Sequence, residues 1–312
     1  MTDLLDVILP VFLIIGFGYL AAYFKLFDDG AVDGVMRFAQ NFAAPCLLFK
    51  SVAQLDLAAA YHPALFASFY LGAFAGFALG YFGARRLFSR TAAESVAIGF
   101  ACMFSNSLLL GVPITERAFG TDALTGNYAI ISIHAPLLYG FGITVMELVR
   151  SKGKGLSVFG LVLQVLRAIF MQPLVLGISA GFLVNLSGFG LPQFVGSAVN
   201  LMASTAIPSA LFGLGGVLLR YRPEGDMKCI AMVCVCSLIV HPGVAYLLGR
   251  FSFALSVPDL RSAVVTGAMA PGVNAFLFAN MYGVSKRVAA SSVLIGTAAT
   301  IITAWAWLAI LP

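Results

Sequence analysis

The chain alternates between long apolar runs and short polar interruptions, and most runs are apolar on every face rather than along one stripe. About 20 consecutive apolar residues cross the hydrocarbon core of a bilayer as a helix. Ten runs meet or approach that length: residues 4–24, 35–53, 63–84, 92–119, 124–149, 169–186, 194–219, 227–248, 260–282 and 288–311. The segment 156–170 carries Gln164 and Arg167 on an apolar background, and reads as an interfacial amphipathic approach to the sixth run. Strands of a membrane β-barrel alternate apolar and polar positions, and these runs do not. The expected fold is an all-α polytopic membrane protein with ten transmembrane helices.

Two runs are broken in the middle. The fourth contains Ser105-Asn106-Ser107-Leu108-Leu109-Leu110-Gly111-Val112-Pro113, and the ninth contains Ala270-Pro271-Gly272-Val273-Asn274. An unpaired backbone group in hydrocarbon costs several kcal/mol, so a broken helix persists only where protein or a water-filled cavity surrounds it. Interrupted spans at corresponding places in two halves of a chain point to a transporter's binding site.

The halves correspond. Shifting the sequence by 163 residues superposes Pro10 on Pro173, Gly18 on Gly181, Pro45 on Pro208 and Phe49 on Phe212, with Leu13, Ile15, Leu20, Ala43 and Leu48 also matching. The expected organisation is a first five-helix repeat at 1–150, a cytoplasmic linker and interfacial helix at 151–168, and a second repeat at 169–312. Five spans are an odd number, so the second copy enters the membrane from the opposite side: a 5+5 inverted repeat. The fourth and ninth spans then run antiparallel and their breaks can cross. Each break leaves N–H groups free at the start of one half-helix and carbonyls free at the end of the other. The N-terminal ends favour a carboxylate, and Asn106 and Asn274 add amides.

Composition sharpens this picture. The chain is 61% hydrophobic and 10% charged, against about 25% charged in soluble domains. A net charge of +5 does not mean nucleic acid, because the basic residues sort by loop. Lys25, Arg37, Arg85, Arg86, Arg90, Arg150, Lys152, Lys154, Arg167, Arg220, Arg222, Lys228, Lys286 and Arg287 fall on one side; Lys50, Arg117, Arg250 and Arg261 fall on the other. The positive-inside rule puts the first set in the cytoplasm and both termini outside. Residues 1–6 lack the basic stretch of a signal peptide. The expected location is the bacterial inner membrane.

The fused pattern Asn41-Phe42-Ala43-Ala44-Pro45-Cys46-Leu47-Leu48-Phe49, the Asn106–Pro113 stretch, Gln172-Pro173 and Pro271–Asn274 together resemble the auxin efflux carrier family, over essentially the whole chain. That family includes plant auxin exporters and bacterial malonate or malate permeases. The resemblance implies two inverted five-helix repeats, crossing broken helices four and nine, and scaffold and transport domains that alternate access. It maps Asn106, Pro113, Pro271 and Asn274 onto the crossover, and Asn41 and Pro45 onto the facing second helix. With Ser105, Ser107, Gly111 and Gly272 these are the expected substrate-binding residues. The short linker matches the bacterial members.

Other residues carry weaker signals. His134 and His241 lie inside spans five and eight. An intramembrane histidine is a candidate proton carrier or an interhelical hydrogen-bonding group; for His241 the second reading is favoured. Thr205 and Ser209 are candidate Na⁺ ligands. The coupling ion is H⁺ or Na⁺, with no cofactor and no metal site. Cys46, Cys102, Cys229, Cys234 and Cys236 read as small buried hydrophobes, and Gly72, Gly76 and Gly80 as a helix-packing stripe. Asp28, Asp29 and Asp33 read as a solvated loop, and Asn185-Leu186-Ser187 as a chance sequon.

The expected function is secondary transport of small organic anions, malonate-like or malate-like dicarboxylates or auxin-like acids. The expected partners are the carboxylate, the lipid bilayer and a second copy of the chain as a homodimer, with no nucleic acid. The alternatives are a sodium-coupled carrier of the bile-acid symporter type, a membrane-embedded enzyme and a channel. An enzyme needs a catalytic cluster and a channel needs a charged ring or carbonyl filter, and the sequence has neither.

Overall fold

An apolar run has no partner for its backbone except itself, and every predicted run is helical. The computed structural model describes residues 2–151 and 157–312, with no strand among the described residues. Residues 152–156 of the expected linker, with Lys152 and Lys154, lie outside the described residues. The helices are α1 (Thr2–Tyr23), α2 (29–53), α3 (Pro63–Leu87), α4 (Ala92–Met103), α5 (107–119), α6 (Thr125–Ser151), α7 (Val158–Phe170), α8 (Pro173–Ser187), α9 (Gln193–Arg220), α10 (Met227–Ser252), α11 (Val257–Gly267), α12 (Val273–Tyr282) and α13 (Lys286–Ile310).

Among the described residues, six helices are each long and apolar enough to cross a membrane alone: α1, α3, α6 (with the turn before it), α9, α10 and α13. The pair α7–α8 forms a seventh candidate with an 82° bend. That bend falls at Met171-Gln172, immediately before Pro173, whose ring disfavours a helical residue in front of it. The remaining expected spans differ in kind. Helix α2 carries Asp29, Asp33, Arg37 and Lys50. Helices α4, α11 and α12 have 12, 11 and 10 residues, or roughly 15–18 Å at about 1.5 Å per residue, half a bilayer each.

Among the described residues four π-turns occur, one in α2 (Ala39–Ala43), one in α5 (Ser107–Gly111) and two in α10 (Cys236–Val240 and Leu248–Ser252). The first three in chain order are each followed two residues later by proline: Pro45, Pro113 and Pro242. A proline has no N–H to give the carbonyl one turn back, and its ring pushes that turn open. In α10 the Leu238 carbonyl is recovered by the Trp307 indole at 2.9 Å. In α2 and α5 the residues one turn back, Gln40 with Asn41 and Leu108 with Leu109, face a cavity instead.

Helix α1 packs on α9, and α8 packs on α2. A methyl group at Gly18 would lie 1.8 Å from the Phe212 carbonyl oxygen, and one at Gly181 would lie 2.7 Å from that of Phe49. Glycine is what permits backbones to approach this closely in a membrane. The half-helices pair as well. Phe100 of α4 stacks on Phe278 of α12 with ring centroids 3.9 Å apart. On the other face, Leu110 and Ile114 of α5 join a buried cluster with Leu260, Val264 and Val265 of α11.

Two surface features gain partners. The acidic cluster is solvent-exposed as expected, but it opens a helix rather than lying in a loop. Asp28 caps α2 through the Ala31 N–H at 2.7 Å, while Asp29 and Asp33 bind Arg220 at the end of α9, at 2.9 and 2.6 Å. The Asn185 amide donates to the carbonyls of Val52, Ala53 and Leu55 at 3.0, 3.2 and 2.7 Å. It closes the C-terminal end of α2, so the asparagine of the sequon serves as a cap. The five cysteines are unpaired; Cys102, Cys229 and Cys236 are buried.

Candidate functional site

The two breaks meet. Beyond Met103 the chain is extended through Phe104 and Ser105, and beyond Ala268 it is extended through Ala270 and Pro271. Ser105 and Pro271 lie side by side as an antiparallel bridge. The Asn106 N–H donates to the Ala270 carbonyl at 2.8 Å, and the Gly272 N–H donates to the Phe104 carbonyl at 2.9 Å. The two bonds flank the Ser105/Pro271 pair rather than joining it, so neither residue's own N–H is needed. Proline is tolerated at such a place and the ladder loses nothing. Backbone groups that the breaks would otherwise leave unpaired in the middle of the protein thereby satisfy one another.

Immediately after the bridge, each chain re-enters a helix. Helix α5 starts with its π-turn, in which Leu110 and Gly111 N–H groups both reach the Asn106 carbonyl at 3.2 and 3.3 Å. Helix α12 starts directly from extended Gly272. The first N–H groups of each have no intrahelical partner. Both starts face one cavity of about 460 Å³, which also receives Asn41, His134, Tyr139 and Gln172.

The side chains in this cavity are held to different degrees. Asn106 is 7% exposed and its Nδ2 has no hydrogen-bond partner. Asn274 is oriented by Tyr139, whose hydroxyl donates to its Oδ1 at 3.2 Å. Ser105 and Ser107 hydroxyls bond each other at 2.8 Å. Both ring nitrogens of His134 lack a partner, and the ring packs edge-on against Phe104 and Phe69. Among the described residues no carboxylate is buried. Two positive half-helix ends with amide donors, in a cavity free of carboxylates, form a surface on which an anion is favoured.

Known proteins bear on this geometry. A family model described as "Membrane transport protein" matches residues 4–308. The chain belongs to the auxin efflux carrier family. The "Putative malonate transporter" of Rhizobium meliloti (strain 1021) is 25% identical over 305 residues, 97% of this chain and 94% of that protein. An uncharacterized transporter of Escherichia coli (strain K12) is 22% identical over 303 residues, covering 96% and 95% of the two chains. Auxin efflux carrier component 8 of Arabidopsis thaliana is 19% identical over 339 residues, covering 92% and 91%.

In this member of the auxin efflux carrier family, the predicted site residues separate into two groups. Asn41, Ser105, Asn106, Ser107, Gly272, Asn274 and His134 line the common cavity. Pro45, Gly111, Pro113 and Pro271 do not. The Pro45 carbonyl packs on Gly177 of α8, Gly111 sits over Thr266 of α11 and Met269 just beyond it, and Pro271 packs on Gly296 of α13. Pro113 faces a separate cavity of about 740 Å³ on the opposite side of the crossover. Thr205 and Ser209 lie away from both half-helix starts, and their hydroxyls donate to carbonyls of their own helix at 2.7 and 2.6 Å.

His241 is packed rather than lining a cavity. Its Nε2 lies 3.2 Å from the Phe69 carbonyl oxygen, and Gly72 and Gly267 close on it from both sides. Gly76 and Gly80 of the same stripe press on Cys102. Sequence reasoning missed Tyr139 and Gln40 as wall residues, and named Gln172 only for its motif. A phenol inside an otherwise apolar run is a signal of the same kind as Asn106, but it carries no backbone break to mark it.

Proposed function

We propose that the chain is a secondary carrier of small organic anions, with malonate-like dicarboxylates first, and that it binds them at the crossing of the two breaks. The observation that carries this reading is the convergence of two half-helix N-termini and the amides of Asn41, Asn106 and Asn274 on one cavity. A carboxylate there accepts from backbone N–H groups and amides, and no buried negative charge opposes it. The relative from Rhizobium meliloti, whose printed name refers to malonate, supports the substrate class.

The reading includes ten spans in a 5+5 inverted repeat. Helix α2, helix α8 with α7 as its interfacial approach, and the two broken pairs complete six single spans to ten. The exchanged contacts Gly18–Phe212 and Gly181–Phe49 support the repeat, because adding 163 to Gly18 gives Gly181 and adding 163 to Phe49 gives Phe212. The basic loops are then cytoplasmic, both termini lie outside, and the protein resides in a plasma membrane, the inner one in a bacterium. Asn106, Asn274, Asn41, Ser105 and Ser107 bind the anion. His134, at the cavity wall with two unpartnered nitrogens, carries the coupling proton.

The test is a thermal-shift screen of the purified chain against mono- and dicarboxylates with and without Na⁺, followed by counterflow in proteoliposomes. A ligand of the native state raises apparent stability by mass action. Stabilisation by a dicarboxylate and saturable counterflow are expected. Non-saturating flux, or no stabilisation by any carboxylate, overturns the proposal.

A further inference from the structure

Beside the crossover cavity, on the face of the basic loops, lies a second cavity of about 520 Å³. Its rim brings together Arg220, Arg222, Lys286 and Arg287 with Asp33 and Glu224. These cations come from separate segments: the end of α9, the loop after it, and the start of α13. They are not equivalent. Arg220 is engaged by Asp29 and Asp33. Arg287 reaches Glu224 only at 3.9 Å. Arg222 and Lys286 have no carboxylate within salt-bridge distance among the described residues.

The positive-inside rule accounts for basic residues on this face, but not for their gathering around one cavity. Nor does it account for the position of that cavity. Gln40, Val273 and Leu277 line both it and the crossover cavity. The two spaces therefore share a wall, whose polar member is the Gln40 amide. On the opposite face the 740 Å³ cavity is balanced: Lys50 and Arg117 meet Glu116 and Asp122. Arg117 is further engaged by the Asp6 and Val7 carbonyls at 2.6 and 3.0 Å.

We propose that the basic cavity is a second anion site, an antechamber in which Arg222 and Lys286 hold a dianion before Gln40 passes it to the crossover. It rests on the reading of the crossover as a carboxylate site. Exposed cations around a concave, partly apolar wall raise the local concentration of anions without burying them. Amides without charge then receive the anion deeper in the protein. The division keeps full charges out of the low-dielectric centre, where an unpaired cation is costly.

The experiment measures binding of malonate and of inorganic phosphate to the full chain in a neutral detergent, at low and high ionic strength. The variants are R222Q/K286Q, R222K/K286R and N106A/N274A. R222Q/K286Q is expected to weaken malonate binding about three- to tenfold at low salt, with the difference vanishing near about 0.5 M salt as screening takes over. R222K/K286R should restore wild-type behaviour. N106A/N274A should retain weak, salt-sensitive binding of either anion that R222Q/K286Q then removes. Malonate affinity and salt dependence unchanged in R222Q/K286Q overturn the antechamber. So does stabilisation of wild type, and not of R222Q/K286Q, by added phosphatidylglycerol with malonate binding unaffected; the cluster is then a lipid headgroup site. If wild type binds phosphate through this cluster but no carboxylate at all, the carboxylate reading of the crossover fails and the anion site stands.

Discussion

The two broken spans reach the same bridge by different routes. In the first, the chain leaves α4, makes the bridge and must wind through a π-turn before α5 becomes regular, with Pro113 two residues beyond. In the second, Gly272 passes from extended chain directly into α12. The side chains at the two starts differ in the same sense. Asn106 is buried with an unpartnered Nδ2, whereas Asn274 is held by Tyr139. The two breaks thus present one pre-oriented amide and one uncommitted donor to the same cavity. The Asn106 amide is therefore the donor that the protein itself leaves open to the cavity.

This asymmetry can be broken by substitution. The largest effect is expected for Asn106→Ala. Malonate affinity should fall by at least about tenfold, or about 1.4 kcal/mol, while the melting temperature without ligand stays level, because the side chain bonds to no other protein group. A lowered melting temperature together with unchanged affinity would count against Asn106 as a ligand. Asn274→Ala should weaken binding less, by about three- to tenfold, an interaction of about 1 kcal/mol. Tyr139→Phe should produce a smaller loss, and Tyr139→Phe/Asn274→Ala should be no worse than Asn274→Ala alone, since both act through one orientation. Additive losses in this cycle would show that Tyr139 contacts the anion itself.

The two histidines extend the comparison. Both press on Phe69, with ring centroids 5.6 Å away for His134 and 4.7 Å for His241. His241→Gln should lower stability by about 1 kcal/mol through lost packing and a disturbed hydrogen bond, leaving the pH profile of transport unchanged. His134→Gln should leave stability nearly unchanged and flatten that profile. A profile identical to wild type would remove His134 as the proton carrier. Exchanged outcomes would assign coupling to the packed ring.

Much of this was legible from residue order alone, because hydrocarbon imposes simple rules. Long apolar runs had to be helices. The breaks at Ser105 and Pro271 were marked by polar residues, Gly and Pro where nothing polar belongs, and the bend before Pro173 fell where the interfacial segment met the sixth run. What escaped depends on partners distant in sequence. Arg220 reaches Asp29 and Asp33 across roughly 190 residues, and neither end announces the other. The Asn185 amide caps a helix that ended some 130 residues earlier. Tyr139 and Gln40 acquire meaning only once α12 and α2 are set beside the cavity. Likewise, periodicity does not reveal that the Thr205 and Ser209 hydroxyls donate to carbonyls of their own helix.

The Ser105–Pro271 bridge has a mechanical consequence. Two antiparallel rungs at the centre of the crossing fix the register of both chains, and stacked Phe100 and Phe278 on one side and the α5–α11 cluster on the other brace the arms that leave it. Sliding one arm past its partner would cut both rungs at once. The four half-helices are therefore tied together: the joint that closes the gap in each broken helix also fastens it to the other.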